Sequence, residues 1–360
     1  MSRPPTPPAG YTKQDLIAAL GVVGVAAGDT VFVHACLDTL GPLHEDGGEA
    51  RRAKVVYDAV RAVVGDTGTV LVPTYTFSFC RNEPFDVRRT PSTGGPWSTS
   101  RDVLEHVRHL GDAIRSRDPI HSVAGVGPRA RELLSDVPPT CFGQGSVFER
   151  LRSANAKIVM LGAPLEEATF RHHAEEMMGV PFRYRKLFTG EIRAGAQVRR
   201  SGWLYFVRIM ADNGYPDGSR LEACARQAGV CRAAALGAGE VLAVEANEYF
   251  ELTTRVLRAD PWFTARGPAA DPVELEAARV GAPPVEVSLP PDATMHEMID
   301  ALWRLPRNIV SDAYDAALRA LGTQLPMTIH EFPTGSECFT WIIPEKWACH
   351  EAYVETLDGR

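Results

Sequence analysis

His172 and Glu175 lie three residues apart in the segment Thr169-Phe170-Arg171-His172-His173-Ala174-Glu175. An apolar run, Lys157-Ile158-Val159-Met160-Leu161-Gly162, precedes it and reads as a buried strand, and a helix is expected to start after the Pro164 loop. On a helix, a spacing of three puts both side chains on one face. A carboxylate beside an imidazole holds it in one tautomer and raises its pKa, which is the equipment of a general base working near neutral pH. The same pair also describes a surface ion pair, so the rest of the chain must decide between the two readings.

Four further polar segments sit beside expected strands. They are His34 to Gly41, Pro73 to Phe77, Arg115 to Gly127, and Gly143-Gln144-Gly145-Ser146. In α/β sheets ligands bind beyond strand ends, so polar residues placed there converge on one crevice. Two other groups read as packing or surface residues. His106 and His109 are three apart on an expected helix but have no further ligands in range, so no metal is expected. The seven cysteines are odd in number and scattered, with no Cys-x-x-Cys pair. Reduced thiols in a cytoplasm are the expectation, with Cys224 and Cys231 as packing residues in a helix-like stretch.

The elements that must position these residues alternate. Thr12 to Gly21 reads as a helix with Thr12 as N-cap and Gly21 as stop, and Ala53 to Val64 as a second helix. Asp29 to His34, Gly68 to Thr74 and Lys157 to Gly162 read as buried strands. Strands are also expected at Trp203 to Ile209 and Glu240 to Glu245. The fold class is therefore α/β, with a central mixed sheet flanked by helices. Residues 1–10 read as a disordered lead-in and 11–267 as the main domain. Residues 268–291 read as a linker: six prolines fall between Gly267 and Pro291. Residues 292–360 read as a small α+β unit, with helices at Met295 to Leu302 and Ala313 to Leu321 and strands at Thr328 to Phe332 and Cys338 to Ile343. The net charge of −7 argues against nucleic acid and suits a cationic substrate. No apolar run is long enough to span a membrane, so a cytoplasmic protein is expected.

Taken in order, the polar segments resemble the aminoglycoside 3-N-acetyltransferase family over about residues 11–266. The family's His-Ser-Ser-Leu-x-x-Leu-Gly element matches His34 to Gly41, and Gly-Thr-Leu-x-x-Pro-Thr matches Gly68 to Thr74. Arg-Ser-x-His-Pro-x-x-Ser matches Arg115 to Ser122. Gly-x-Gly-Ser, then a strand, then Thr-x-x-His-x-x-Glu, match Gly143 to Ser146 and Thr169 to Glu175. The resemblance implies acetyl transfer from acetyl-CoA to a primary amine, with no metal. It implies that His172 deprotonates the acceptor ammonium and that Glu175 orients and charge-supports His172. His121 joins them, lining the same pocket with Ser122. Groups of His34, Ala35, Cys36, Leu37, Thr74, Tyr75 and Thr76 would hold the pantetheine and thioester.

Three departures from the family pattern bear on the acceptor and donor. Ala35 and Cys36 replace paired serines, so Cys36 either fills a serine's place or carries the acyl group itself. Asp118 stands where the family has histidine; it binds a cationic acceptor, orients His121 or caps a turn at Pro119. The run Phe182-Arg183-Tyr184-Arg185-Lys186 is basic, which either places Arg183 against the acceptor and disfavours polycations or forms a solvated surface. The acceptor is then a small amine, aminoglycoside-like or an intermediate of specialised metabolism, with antibiotic resistance or biosynthesis as the setting. A carrier-protein thioester donor, a non-catalytic scaffold role and a homodimer stay open. The tail, including Leu302 to Asn308, Ile329 to Gly335 and Trp341 to Trp347, resembles the opening of an aminopeptidase-like family of unknown function. That family's metal ligands lie further on than Arg360, so no peptidase activity is expected of the tail. It reads as the start of a longer protein or as a retained binding module.

Overall fold

A computed structural model describes residues 10–44, 48–93, 100–271, 275, 289–290, 292–303, 312–330, 337–338 and 341–342. The chain divides into two units, Met1–Ala270 and Asp271–Arg360.

The first unit is built on three parallel strands, β1 (Thr30–Ala35), β2 (Thr69–Pro73) and β6 (Lys157–Leu161). Strand β1 lies between the other two, with Thr30 opposite Thr69 on one side and Val31 opposite Lys157 on the other. Every residue of β1 and β2 is buried. A strand covered by helices on both faces has no polar side, which is why these segments read as near-continuous apolar runs. Antiparallel strands extend the sheet at both edges. They are β4 (Ile114–Arg115) and β5 (Val123–Val126) beside β2, and β9 (Arg232–Leu236) and β10 (Gly239–Glu245) beside β6. The sheet is mixed, as the sequence indicates.

Successive residues of β1 serve opposite helix layers. Val31, Val33 and Ala35 join a core with Leu16 and Leu20 of α1 (Lys13–Val22), Val56 and Val60 of α2 (Glu49–Val64), and Val103 and Val107 of α3 (Arg101–Arg108). Phe32 packs instead on Phe148 of α5 (Val147–Ser153) and on the ring of His34. Helix α1 starts as expected, with a capping box between Thr12 and Asp15. It runs one residue past Gly21, and the left-handed turn that ends it falls at Gly24, whose φ is +87°.

A second sheet of three strands holds β3 (Phe85–Asp86), β7 (Arg183–Ala194) and β8 (Gln197–Arg208). The expected strand at Trp203 to Ile209 is the end of β8 and belongs to this sheet. Its partner β7 takes up the basic run from Arg183 onward. The two close through Gly195-Ala196, with Gly195 at φ +63°.

In the second unit, helix Met295–Leu302 is capped by Thr294 and Glu297, and a second helix spans Asp312–Gly322. Glu337–Cys338 pairs antiparallel with Trp341–Ile342. Of the strand expected at Thr328 to Phe332, residues 328–330 carry no regular structure and 331–332 lie outside the described residues. The lead-in at residues 1–9 and most of 268–291 also lie outside them. No helix among the described residues is long and apolar enough to cross a membrane.

Candidate active site

Because β1, β2 and β6 are parallel, their C-terminal ends share one edge of the sheet. The chain leaves β1 for β2 on one side and reaches β6 on the other, and in α/β sheets such a point, at the end of β1, is where ligands bind. His34 lies near that end, Thr74 follows β2, and helix α6 (Arg171–Met177) follows β6. Gly162 closes the turn out of β6 at φ +71°, and Thr39 Oγ1 donates to its carbonyl at 2.6 Å.

His172 and Glu175 meet on α6 as the spacing indicates, with Nδ1 2.6 Å from Oε2. Glu175 is fully buried, and Arg183 Nε (2.8 Å) and Arg171 Nε (3.2 Å) sit against its two oxygens. These two contacts are ion pairs without the alignment of hydrogen bonds. Burial alone would raise the Glu175 carboxyl; Arg183, His172 and Arg171 outweigh it and hold the group far below the usual carboxylate range. An ionised carboxylate only accepts, so His172 Nδ1 carries the proton and Nε2 keeps its lone pair. No other hydrogen bond to the ring forms among the described residues. The imidazole keeps 17% of its surface exposed, so one edge stays accessible.

The expected rise in the His172 pKa does not occur. Burial first, and the Arg183 charge next, push it down to about 4 against the pull of Glu175. The carboxylate is shared with two guanidiniums and cannot support imidazolium as an isolated partner would. Arg183 accordingly works through Glu175. It is buried, donates through Nη1 to the Phe206 carbonyl, and enters from the first residue of β7. Arg185 pairs with Glu176 at 2.9 Å. Two cations of the basic run are thus neutralised internally, which removes the sequence argument against polycationic acceptors.

His121 is buried, and the rings of Tyr75, Phe77, Phe142 and Tyr205 surround it at centroid distances of 4.7 to 5.0 Å. Phe142 also packs on His172 at 5.2 Å, so His121 and His172 share one aromatic neighbour. Asp118 caps the turn at Pro119: its Oδ1 accepts from the Ile120 and His121 amides, both at 2.8 Å. Ser146 caps α5 by accepting from the Glu149 amide, so Gly143-x-Gly145-Ser146 is a helix entry.

The residues expected to hold the donor are close to the sheet edge, but several of their amides are engaged. The Cys36 amide donates to Leu161 O and the Leu37 amide to Ser100 Oγ. The Thr74 and Thr76 amides donate to Ser122 O and Ile120 O. Thr76 Oγ1 donates to Pro119 O, and Ser122 Oγ to Thr74 O. Ala35 is buried within β1. Buried polar atoms in this region without a geometric hydrogen-bond partner include His34 Nε2, His121 Nδ1 and the Tyr75 hydroxyl, which lies near Thr169. Such atoms fit a substrate that supplies the missing bonds.

Sequence reading missed the organiser of this edge, Arg115. Its Nε donates to Thr74 Oγ1 (3.1 Å) and Ser122 Oγ (3.2 Å), and Nη2 to Thr74 O (2.6 Å). Nη1 donates to Thr90 O (2.6 Å) and Val87 O (3.2 Å), and the guanidinium stacks on Phe85. The motif marks the position, but its acceptors come from three separate loops. Arg115→Met is expected to destabilise the unit by about 3 kcal/mol, because buried carbonyls lose a charged donor. Urea unfolding at pH 7 checks this, and a loss below about 1 kcal/mol would mean that water replaces the guanidinium.

The family described as Aminoglycoside 3-N-acetyltransferase matches residues 32–258. A domain of unknown function (DUF4910) matches residues 296–358, in the tail. The chain is 31% identical over 227 residues to aminoglycoside N(3)-acetyltransferase VIII of Streptomyces fradiae, covering 58% of this chain and 74% of that relative. Among solved structures, aminoglycoside acetyltransferase AAC(3)-IIb superposes with a TM-score of 0.60 at 25% identity, over 70% of this chain and 98% of that one. AAC-IIIb in its binary complex with CoASH shares the fold, with a TM-score of 0.58 at 23% identity over 73% of this chain and all of that one.

Proposed function

The chain belongs to the aminoglycoside 3-N-acetyltransferase family, and from that premise we propose that His172 is the general base of an acetyl transfer to a small-molecule primary amine. The enzyme is an N-acetyltransferase and its co-substrate is acetyl-CoA. The acceptor is aminoglycoside-like or an intermediate of specialised metabolism. The observation that carries the role of His172 is its bond to a fully buried, ionised Glu175, which leaves Nε2 as the free base.

The coenzyme supplies an acetyl thioester, whose carbonyl carbon the amine nitrogen attacks as the thiolate leaves. An ammonium has no lone pair, so His172 Nε2 takes its proton first. Glu175 holds the ring through Nδ1 and stabilises the imidazolium that forms, while Arg171 and Arg183 fix the carboxylate. The imidazolium passes that first proton to water; Nε2 then takes the second N–H proton as the amide forms and hands it to the departing thiolate, so one proton is released overall. Tyr75, with its unpartnered hydroxyl, is the side chain we assign to the thioester oxygen.

Incubation of the purified chain with acetyl-CoA and an amine panel tests this reading by free thiol release and intact protein mass. Release that depends on amine, with unchanged mass, is the expected result; no release with any amine would refute it. A covalent Cys36 route has little support. Cys36 is buried and the Nε2 of the neighbouring His34 makes no hydrogen bond. Cys36→Ser is therefore expected to keep kcat within about threefold. A loss of about a hundredfold or more, with an acetylated wild-type protein seen by mass, would instead make it the nucleophile.

A further inference from the structure

The reading above leaves the acceptor's charge open, and the residue after Glu175 bears on it. Glu176 follows His172 by four residues on α6. The two side chains therefore leave one face of the helix a turn apart, with about 6 Å between their Cβ atoms. One loop borders both. Phe142 packs on the His172 ring at 5.2 Å, and a Cβ placed on Gly143 would stand 3.2 Å from Glu176 Oε1.

The two carboxylates of α6 are served unequally. Each oxygen of Glu175 faces a guanidinium, and that group is held far below the carboxylate range. The Glu176 side chain is only 3% exposed, yet a single bond reaches it, from Arg185 Nε to Oε1 at 2.9 Å. Its Oε2 is buried with no hydrogen-bond partner. Burial prevails at Glu176, and its carboxyl is raised despite Arg185 and Arg183. A guanidinium can span a carboxylate with two parallel bonds, and Arg185 makes one of them.

Arg185 also keeps 52% of its side chain in solvent, so it returns to water at small cost. Glu176 has no such option: a buried carboxylate stripped of its partner is strongly disfavoured, so another cation must take the place of the guanidinium. A primary ammonium carries three donors on one atom and can serve both oxygens. The space it needs is the space the guanidinium now fills.

We infer that Glu176 is an ammonium subsite for the acceptor, occupied in the unliganded protein by Arg185. A polyamine acceptor displaces Arg185, pairs one ammonium with Glu176 and presents another to His172 on the same helix face. This rests on the acetyltransferase reading and adds the substrate class to it: amines with at least two ammonium groups spaced to bridge one helix turn.

The test uses the full chain with acetyl-CoA and compares kanamycin, 1,5-diaminopentane and 1-aminopentane by thiol release. At least one of the two polycations is expected to exceed the monoamine by about thirtyfold in kcat/KM. Glu176→Gln should erase that preference by raising the KM for the polycation about thirtyfold, with kcat within about threefold. Arg185→Ala should act in the opposite direction and lower the same KM about fivefold, because the competing cation is gone. An ion pair with a structural role alone would leave that KM unchanged or raise it. Should Glu176→Gln misfold, Arg185→Ala decides alone. Equal use of mono- and polyamines by the wild type, or a polycation preference that survives Glu176→Gln, would overturn the subsite and leave the acetyl transfer standing. No release with any of the three amines would overturn both readings together.

Discussion

Replacing His172 by alanine is expected to lower kcat by about a thousandfold while leaving the KM for acetyl-CoA within about threefold. The size follows from what is removed. The acceptor arrives as an ammonium, and without a base only its small free-amine fraction can attack. The loss should therefore shrink as pH rises toward the amine's own pKa, a rescue that a merely misfolded variant would not show. The fold should tolerate the change, because the ring is partly exposed and Glu175 keeps both arginines when it goes. Glu175→Gln is a poorer probe, since it leaves two buried guanidiniums without a counter-charge. The wild-type acid limb is set by the same ring. Activity needs neutral His172, which is present above a pKa of about 4 and lost below it, so kcat/KM for acetyl-CoA should show no enzyme inflection near 6.5. Steady-state kinetics from pH 5 to 9 on both proteins check this. A variant that retains more than about a tenth of kcat would remove His172 from the role.

The parts of this site that were legible in the sequence are those written locally. His172 and Glu175 meet because a helix repeats, and β1, β2 and β6 are visible because strands buried on both faces are mostly apolar. The antiparallel edge at β10 also showed through its alternation. What stayed hidden depends on residues far apart in the chain. Strand β7 opens Arg183-Tyr184-Arg185-Lys186 on a half-exposed sheet, so Arg183 and Arg185 looked like a solvated run. Their destinations, Glu175 and Glu176, lie on another element. The direction of the His172 pKa failed for the same reason: the neighbouring carboxylate was visible, but not the two arginines that share it. Arg115 was visible as a motif position, whereas its acceptors at Thr74, Val87 and Thr90 come together only in the fold. Asp118 offered three readings, and the fold brings its Oδ1 to the Ile120 and His121 amides of the turn.

Acidification from pH 7 to 5 is expected to lower the melting temperature of the acyltransferase unit by about 10 °C. The cause is a set of histidines kept neutral by burial. His34 is pushed down to about 4 by burial, and His172 to about 4 by burial and Arg183. His121 is lowered well below 6.5 by burial, then by His172 and Arg183, and His173 is lowered by burial despite its bond to Phe142 O. In the unfolded chain each would take a proton near 6.5. Between that value and the folded one, the unfolded state binds more protons, so stability falls as pH falls. A fall from 6.5 to about 4 corresponds to about 3 kcal/mol for each of His34 and His172. Carboxylates work against this. Asp118, raised by burial to about 6, takes up a proton in the folded state and returns about 3 kcal/mol between pH 6 and 4. Glu176 and Glu167, also raised by burial, add to that return. Glu175 is silent in this window, because its folded pKa is depressed and its contribution is lost only below the unfolded value near 4.5. The histidines prevail between pH 7 and 5, since they begin to count at 6.5 and there are four of them, whereas Asp118 starts only near 6. Melting curves at pH 7, 6 and 5 measure the sum, and the His172→Ala variant isolates one member, because its curve should be shallower by close to one proton. A melting temperature that stays level from pH 7 to 5 would mean that water reaches these rings and that His172 does not work as a desolvated base.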